Sequence, residues 1–155
     1  MAELLSAGLM MYTFNEKLLK IFLVHPGGPF FVKKDEGYWS IPKGLAEKGE
    51  DLFETARREF EEETGIIPEG RFINLDFIIQ KSGKKVYAWA FQVKDDSPID
   101  ITCNTFEMEW PPHSGKKQNF PEVDKGDFFN LENAIKKINP AQAEFIYRLK
   151  KHLHI

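Results

Sequence analysis

Two apolar runs, residues 7–14 and 18–25, flank the polar pair Asn15-Glu16 and predict a β-hairpin. Pro26-Gly27-Gly28-Pro29 follows, and two prolines with two glycines forbid regular pairing. This stretch reads as a plain connecting loop rather than a phosphate cradle, because no helix start succeeds it. Residues 38–41 predict a short strand, and Pro42-Lys43-Gly44 a turn toward a helix. Residues 72–80 and 86–93 flank Lys81 to Lys84 as a second hairpin. Residues 101–110 predict another strand, residues 110–119 a long polar loop, and residues 127–129 a short closing strand. Helical spacing occupies residues 131–138 and 141–152, parted at Pro140. Strands mixed with a central helix and a C-terminal helical layer predict an α/β sandwich around a mixed sheet.

The central helix carries the chemistry. Asp51 with Glu54 three residues on resembles a capping box, and Gly65 is a helical stop. Stepping about 100° per residue, Leu52, Phe53, Ala56 and Phe60 share one broad apolar stripe. Glu59 and Glu63 fall on that stripe and Glu62 at its edge, whereas Glu54, Arg57 and Glu61 point away. A merely solvated acidic face would put its charges opposite Leu52 and Phe60. Carboxylates turned inward repel each other and lose hydration, which is costly unless positive charge sits among them. Hard oxygen ligands without a Cys or His cluster point to Mg²⁺ or Mn²⁺ rather than zinc.

Composition narrows the class. A chain of 155 residues predicts one domain, residues 1–155, with room for one substantial core. A net charge of −3 argues against a general nucleic-acid binder, which needs a dominant basic surface. Cys103, the sole cysteine, cannot form an internal disulfide and suits a reducing cytoplasm, as a packing residue rather than a nucleophile. The N-terminus lacks a basic segment leading into a long apolar run, so neither a signal peptide nor a membrane span is expected. His25, His113, His152 and His154 have no ligand-like spacing and receive no catalytic role.

The run Gly44, Glu50, Arg58-Glu59-Phe60, Glu62-Glu63 and Gly65-Ile66 fills every fixed position of the box of the Nudix hydrolase family, residues 44–66, which this chain resembles. The resemblance implies an α/β/α sandwich and metal-dependent hydrolysis of a nucleoside diphosphate linked to another moiety. It implies Glu59, Glu62 and Glu63 as metal ligands with the Gly44 carbonyl as an extra one, and Glu50 and Arg58 as structural braces. Which glutamate is the general base stays open among Glu62, Glu59 and Glu122. Glu122, in Phe-Pro-Glu-Val-Asp, is similar to the Pro-Glu segment of Nudix enzymes acting on RNA ends and dinucleoside polyphosphates, and is a ligand or base outside the box. Glu107 and Glu109 are the fallback.

Trp39-Ser-Ile-Pro-Lys43-Gly44 resembles the approach to the box in diadenosine polyphosphate hydrolases, with Lys43 neutralising a phosphate. Lys116 and Lys117 could meet a polyphosphate chain, and Trp110 or Tyr87 could stack on a base. Tyr87, Trp89 and Phe91 alternate on one strand face and also fit a core role; Lys33 and Lys34 are equally open. The whole pattern is similar to a bacterial Nudix subgroup described as predicted nucleoside triphosphate pyrophosphohydrolases. Dinucleoside polyphosphates are the favoured substrates and nucleoside triphosphates the next. The alternatives are trimming of RNA 5′ ends and a non-catalytic nucleotide-binding module.

Overall fold

Strand β1 (Leu5–Asn15) organises the molecule, because Ser6 to Thr13 are all buried. A strand buried on both faces belongs in the middle of a sheet. Its alternate side chains serve two cores. Ala7, Leu9 and Met11 join one cluster, and Met10 and Tyr12 the other. The computed structural model describes residues 4–155; Met1 to Glu3, where the N-terminal reading and the 1–155 boundary begin, lie outside them.

The main sheet runs β4 (Phe72–Ile79), β5 (Lys85–Gln92), β1, β2 (Leu18–Pro26), β8 (Val123–Asn130), with β3 (Lys43–Leu45) also paired to β1. The β1–β5 pair is parallel and the other pairs antiparallel, so the sheet is mixed. Helix α1 (Leu52–Thr64) covers one face through Ala56 and Phe60. Phe53 adds edge contacts to Phe72 and Trp89, with ring centroids at 4.9 and 5.3 Å. The opposite face carries α2 (Leu131–Lys137), a 3₁₀ turn (Pro140–Gln142) and α3 (Ala143–Leu153), which bury Ala134, Phe145, Ile146 and Leu149. Burying each such Phe, Ile or Leu contributes about 1.5–3 kcal/mol, more than intrinsic propensity gives these short helices. The result is the expected α/β/α sandwich.

Both predicted hairpins form. The β1–β2 turn places Glu16 and Lys17 at φ of 51° and 68°, the left-handed pair that a two-residue hairpin turn uses. Helix α1 starts where Asp51 accepts the Glu54 N–H and stops at Gly65, whose φ of 79° lets its N–H return to the Glu61 carbonyl.

Four expectations need correction. Residues 38–41 are not a strand; only isolated bridges join Trp39 to Ile138 and Ser40 to Val24. Their backbone groups are divided: Ser40 bonds Val24 through both its N–H and its carbonyl, whereas Trp39 N–H donates to Lys137 O at 3.0 Å and Asn139 N–H to Trp39 O at 2.7 Å. The strand is instead Lys43–Leu45, read as a turn, which pairs with Ser6 to Gly8. Residues 101–110 keep only β6 (Thr105–Glu109), since Ile101 and Cys103 pack beside the α1-side core. Part of the polar loop is a strand, β7 (Lys117–Pro121), which pairs with β6 as a separate two-stranded sheet. Four of its five residues are exposed, so it has no apolar alternation to signal it.

Candidate active site

Strands β1 and β2 pair only from Tyr12 to Asn15, and the opposite part of that β1 edge is taken by β3. Pro42 O accepts the Leu9 N–H at 3.1 Å, which seats the Lys43-Gly44 segment against the sheet. Ahead of it, the buried Gln142 carboxamide oxygen accepts the Ile41 N–H at 3.0 Å. Helix α1 lies over this segment. Glu59 sits so close above Gly44 that a Cβ added there would land inside the Glu59 carboxyl group. A larger residue there would displace the Glu59 carboxyl group from this place. One turn further, Glu63 accepts the Lys43 N–H at 3.2 Å.

Arg58 ties the acids together. Its Nε donates to Glu50 Oε2 at 2.8 Å and its Nη2 to Glu50 Oε1 at 3.0 Å and Leu45 O at 3.1 Å. Its Nη1 lies 2.9 Å from Glu59 Oε1 and 3.2 Å from Glu62 Oε1. Glu50 also accepts from Thr55 Oγ1 and the Glu47 N–H, fixing the loop before α1. The Glu50 carboxyl is accordingly held down to about 2, mainly by the Arg58 hydrogen bonds.

Glu122 faces these acids from the β7–β8 corner. Its N–H donates to Asn104 O at 3.0 Å, and its carbonyl accepts the Gly27 N–H at 2.9 Å. Two residues on, Asp124 Oδ1 lies 2.9 Å from Nδ1 of the buried His25, whose Nε2 lies 2.6 Å from Lys34 O. His25 therefore joins the Glu122 corner to the loop after β2 and acts as a structural tie. Glu63 and Glu122 line one cavity of about 190 Å³, together with Lys43, Tyr38, Ser40 and Val24. Glu62, more exposed than Glu59, also lines a shallow hollow of about 450 Å³ with Arg57 and Arg58.

The carboxylates resist ionisation together. Burial pushes Glu63 up to about 8, with the Glu59 charge adding to it and Lys43 opposing it. Burial and then Glu62 raise Glu59, against Arg58. Glu122 is raised by burial and then by Glu62. Burial also lowers the Lys43 ammonium, helped by the nearby Lys84 and opposed by Glu63 and Glu59. Lys84, read only as a hairpin turn, is thus a cation near the cleft that periodicity had no means of placing.

Among the described residues, no three acidic, His or Cys side chains converge closely enough as they stand to enclose a cation. Glu59 and Glu62 instead converge on the Arg58 Nη1, and Glu63 turns to the Lys43 amide. The donor set is nevertheless the kind a hard divalent cation takes. It is all carboxylate oxygen, mutually repelling and part-desolvated, with Glu59 laid over the backbone of Gly44.

The other sequence candidates lie elsewhere. Tyr87 turns its ring to Phe77 at 5.3 Å and packs at the margin of the α1-side core. Trp110, Lys116 and Lys117 stand at the tip of the β6–β7 hairpin, where the Trp110 N–H meets Lys116 O. At about 3.3 Å per residue, Lys117 is roughly 17 Å along the strand from Glu122. Glu107 lies 3.7 Å from the Lys117 Nζ and pairs with it, and Glu109 is opposite Lys117 in the register. Lys33 and Lys34 are on the loop after β2. A larger hollow of about 830 Å³ lies between β4 and the C-terminal end of α3, lined by Asn74, Asp76, Arg148, Lys151, His152 and His154, and holds none of Glu59, Glu62, Glu63 and Glu122.

The family model of the NUDIX domain matches residues 4–149. The rat bis(5′-nucleosyl)-tetraphosphatase [asymmetrical] is 41% identical over 80 residues, covering 47% of this chain and 54% of that protein. Nudix hydrolase 7 of Arabidopsis thaliana is 35% identical over 68 residues, 44% of this chain and 23% of that one. The chain thus spans at most about half the length of these curated relatives. Among solved structures, a C. elegans Ap4A hydrolase binary complex superposes with a TM-score of 0.67 at 22% identity, covering 97% of this chain and 98% of that one. The NUDIX domain of Shewanella oneidensis NrtR complexed with ADP ribose gives 0.70 at 17% identity, covering 99% and 90%. At these identities the structural likeness concerns the fold.

Proposed function

This chain belongs to the NUDIX domain family, and from that premise we propose that it is a divalent-metal-dependent pyrophosphohydrolase of nucleotides, with dinucleoside polyphosphates favoured and nucleoside triphosphates next. The observation that carries the reading is the set Glu59, Glu62 and Glu63 on one side of α1, facing Glu122 across a cleft floored by Lys43-Gly44. The local similarity to a bis(5′-nucleosyl)-tetraphosphatase favours the dinucleotide class.

Glu59, Glu62, Glu63 and Glu122, with the Gly44 carbonyl, are the residues that would hold Mg²⁺ or Mn²⁺. Bound there, such a cation offsets the charge on the bridging phosphate oxygens and lowers the pKa of a water molecule. Lys43 and Lys84 supply fixed positive charge for a phosphate beyond the acids. Arg58 and Glu50 keep α1 and the β3 loop in register, so the acids are aimed before substrate arrives. Among the described residues no helix is long and apolar enough to cross a membrane. The free Cys103 fits a reducing compartment, and our reading is of a cytoplasmic protein.

The test is metal-dependent phosphate release from a panel of dinucleoside polyphosphates, nucleoside triphosphates, ADP-sugars and triphosphorylated or capped RNA, run with Mg²⁺ and with Mn²⁺. Product identification then shows which bond is cut. We expect the highest kcat/KM on a dinucleoside tetraphosphate; faster cleavage of RNA ends would replace the small-molecule assignment. A companion prediction concerns protons. With its carboxyl pushed up to about 8 by burial, Glu63 is expected to carry a proton at pH 7 without metal and to give it up on becoming a ligand. Metal uptake at pH 7 should therefore release about one proton per chain, falling toward none well above pH 8. Calorimetry in buffers of different ionisation enthalpy measures this, and release that does not vary with pH would remove Glu63 from the ligand set.

A further inference from the structure

The loop after β2 carries an exposed aromatic cluster that folding does not explain. We propose that Tyr38, backed by Phe31 and Lys34, is the stacking platform for one nucleobase of the bound nucleotide. The inference rests on the nucleotide reading above and names a subsite for it.

The backbone around Tyr38 is fixed on both sides. The Gly37 N–H donates to the Lys136 and Lys137 carbonyls at 3.1 and 3.0 Å, the Tyr38 N–H to Asp35 O at 3.0 Å, and the Trp39 N–H to Lys137 O at 3.0 Å. Trp39 is buried, edge-on to Phe129 at 4.8 Å, with its Nε1 donating to Asp35 Oδ1 at 2.8 Å. Tyr38 closes the turn begun at Asp35, and the bonds on either side of it leave its side chain 44% exposed on an anchored support. It lines the same cavity as Lys43, Glu63 and Glu122.

The surroundings suit a base joined to phosphates. The Lys34 ammonium lies 5.6 Å from the Tyr38 ring centroid and the Phe31 ring 6.3 Å from it. An aromatic face with an adjacent cation stacks a neutral base and meets the negative chain leaving it. The Lys34 carbonyl lies against His25, so the cation's backbone is tied to the Glu122 corner rather than swinging freely. The rival aromatics are already engaged: Tyr87 faces Phe77, and Trp89 faces Phe53.

The experiment is calorimetric titration with Mg²⁺ present, comparing methylene-bridged diadenosine tetraphosphate with inorganic tetraphosphate. Wild type, Tyr38→Ala and Tyr38→Phe are measured. The expected result is a fall of about tenfold in the ratio of the two affinities for Tyr38→Ala, the size of one lost base–aromatic stack, with recovery in Tyr38→Phe. General damage to the cleft would weaken both ligands alike and leave the ratio unchanged. An unchanged ratio, with or without weaker binding, overturns the platform. Turnover of the cleavable dinucleotide by wild type is measured alongside. No turnover with the ratio still falling tenfold sinks the hydrolytic reading and keeps the platform; turnover with an unchanged ratio does the reverse.

Discussion

Glu62→Gln is expected to lower kcat on a dinucleoside tetraphosphate by about 10³-fold or more, with the fold retained. The glutamine keeps the shape and helix propensity of the side chain and removes only its charge. That charge is felt on both sides of the cleft, since it helps to raise Glu59 on α1 and Glu122 at the β7–β8 corner. Glu62 stays partly solvated, with 37% of its side chain exposed. Among the described residues its hydrogen bonds are to Arg58, which keeps Glu50 and Glu59 when the charge goes. Stability should therefore change by no more than about 0.5 kcal/mol, as for other surface substitutions. Steady-state kinetics with a urea melt on the same preparation decides the matter. Near-normal turnover in a folded Glu62→Gln protein would take this residue out of the essential set.

What could be read in advance follows from how local each signal is. Helix α1 announced itself because its cap, stripe and stop all lie within residues 51–65, and the inward acids stand out only against that stripe. The two apolar hairpins were legible for the same reason. Strand β7 was not, because Lys117, Gln118 and Asn119 are exposed and the strand is held by backbone pairing to β6. Residues 38–41 misled in the opposite sense. They are half apolar and alternate in burial, yet beside the bridge to Val24 their partners are the C-terminal ends of α2 and the 3₁₀ turn, about a hundred positions away. Tyr38 was invisible as a site residue for that reason: its exposed placement is set by Gly37 and Trp39 being bonded to the end of α2. Arg58 was recognisable as a brace. That its guanidinium would also stand between Glu59 and Glu62 depends on side-chain angles that spacing does not specify.

Arg58→Ala should cost about 2–3 kcal/mol of stability. Removing one member of a buried ion pair costs about 3–5 kcal/mol because its partners are left unpaired, and the lower figure allows for solvent screening, since the Arg58 side chain is 28% exposed. Three carboxylates and the Leu45 carbonyl lose their donor at once. Arg58→Lys keeps the charge but lacks the planar fork that engages both oxygens of Glu50, so it should recover only part of the loss. The pH dependence gives a sharper reading. Glu50 is held at about 2 in the folded protein, against roughly 4.3 in an unfolded chain. Its contribution is therefore complete above about pH 4.3 and is lost as pH falls toward 2. Glu63 has the opposite sign: held near 8, it makes the metal-free protein less stable as pH rises from about 4.3 to 8. In Arg58→Ala the acid limb should become shallower, because Glu50 loses its main partner and keeps only the weaker hold of Thr55 Oγ1 and the Glu47 N–H. The alkaline limb should steepen, because Glu59 is left without its counter-charge beside Glu63. Urea melts in the presence of chelator between pH 2.5 and 8 measure both limbs. An unchanged acid limb would mean that the Arg58–Glu50 pair adds nothing to stability and serves only to aim the acids.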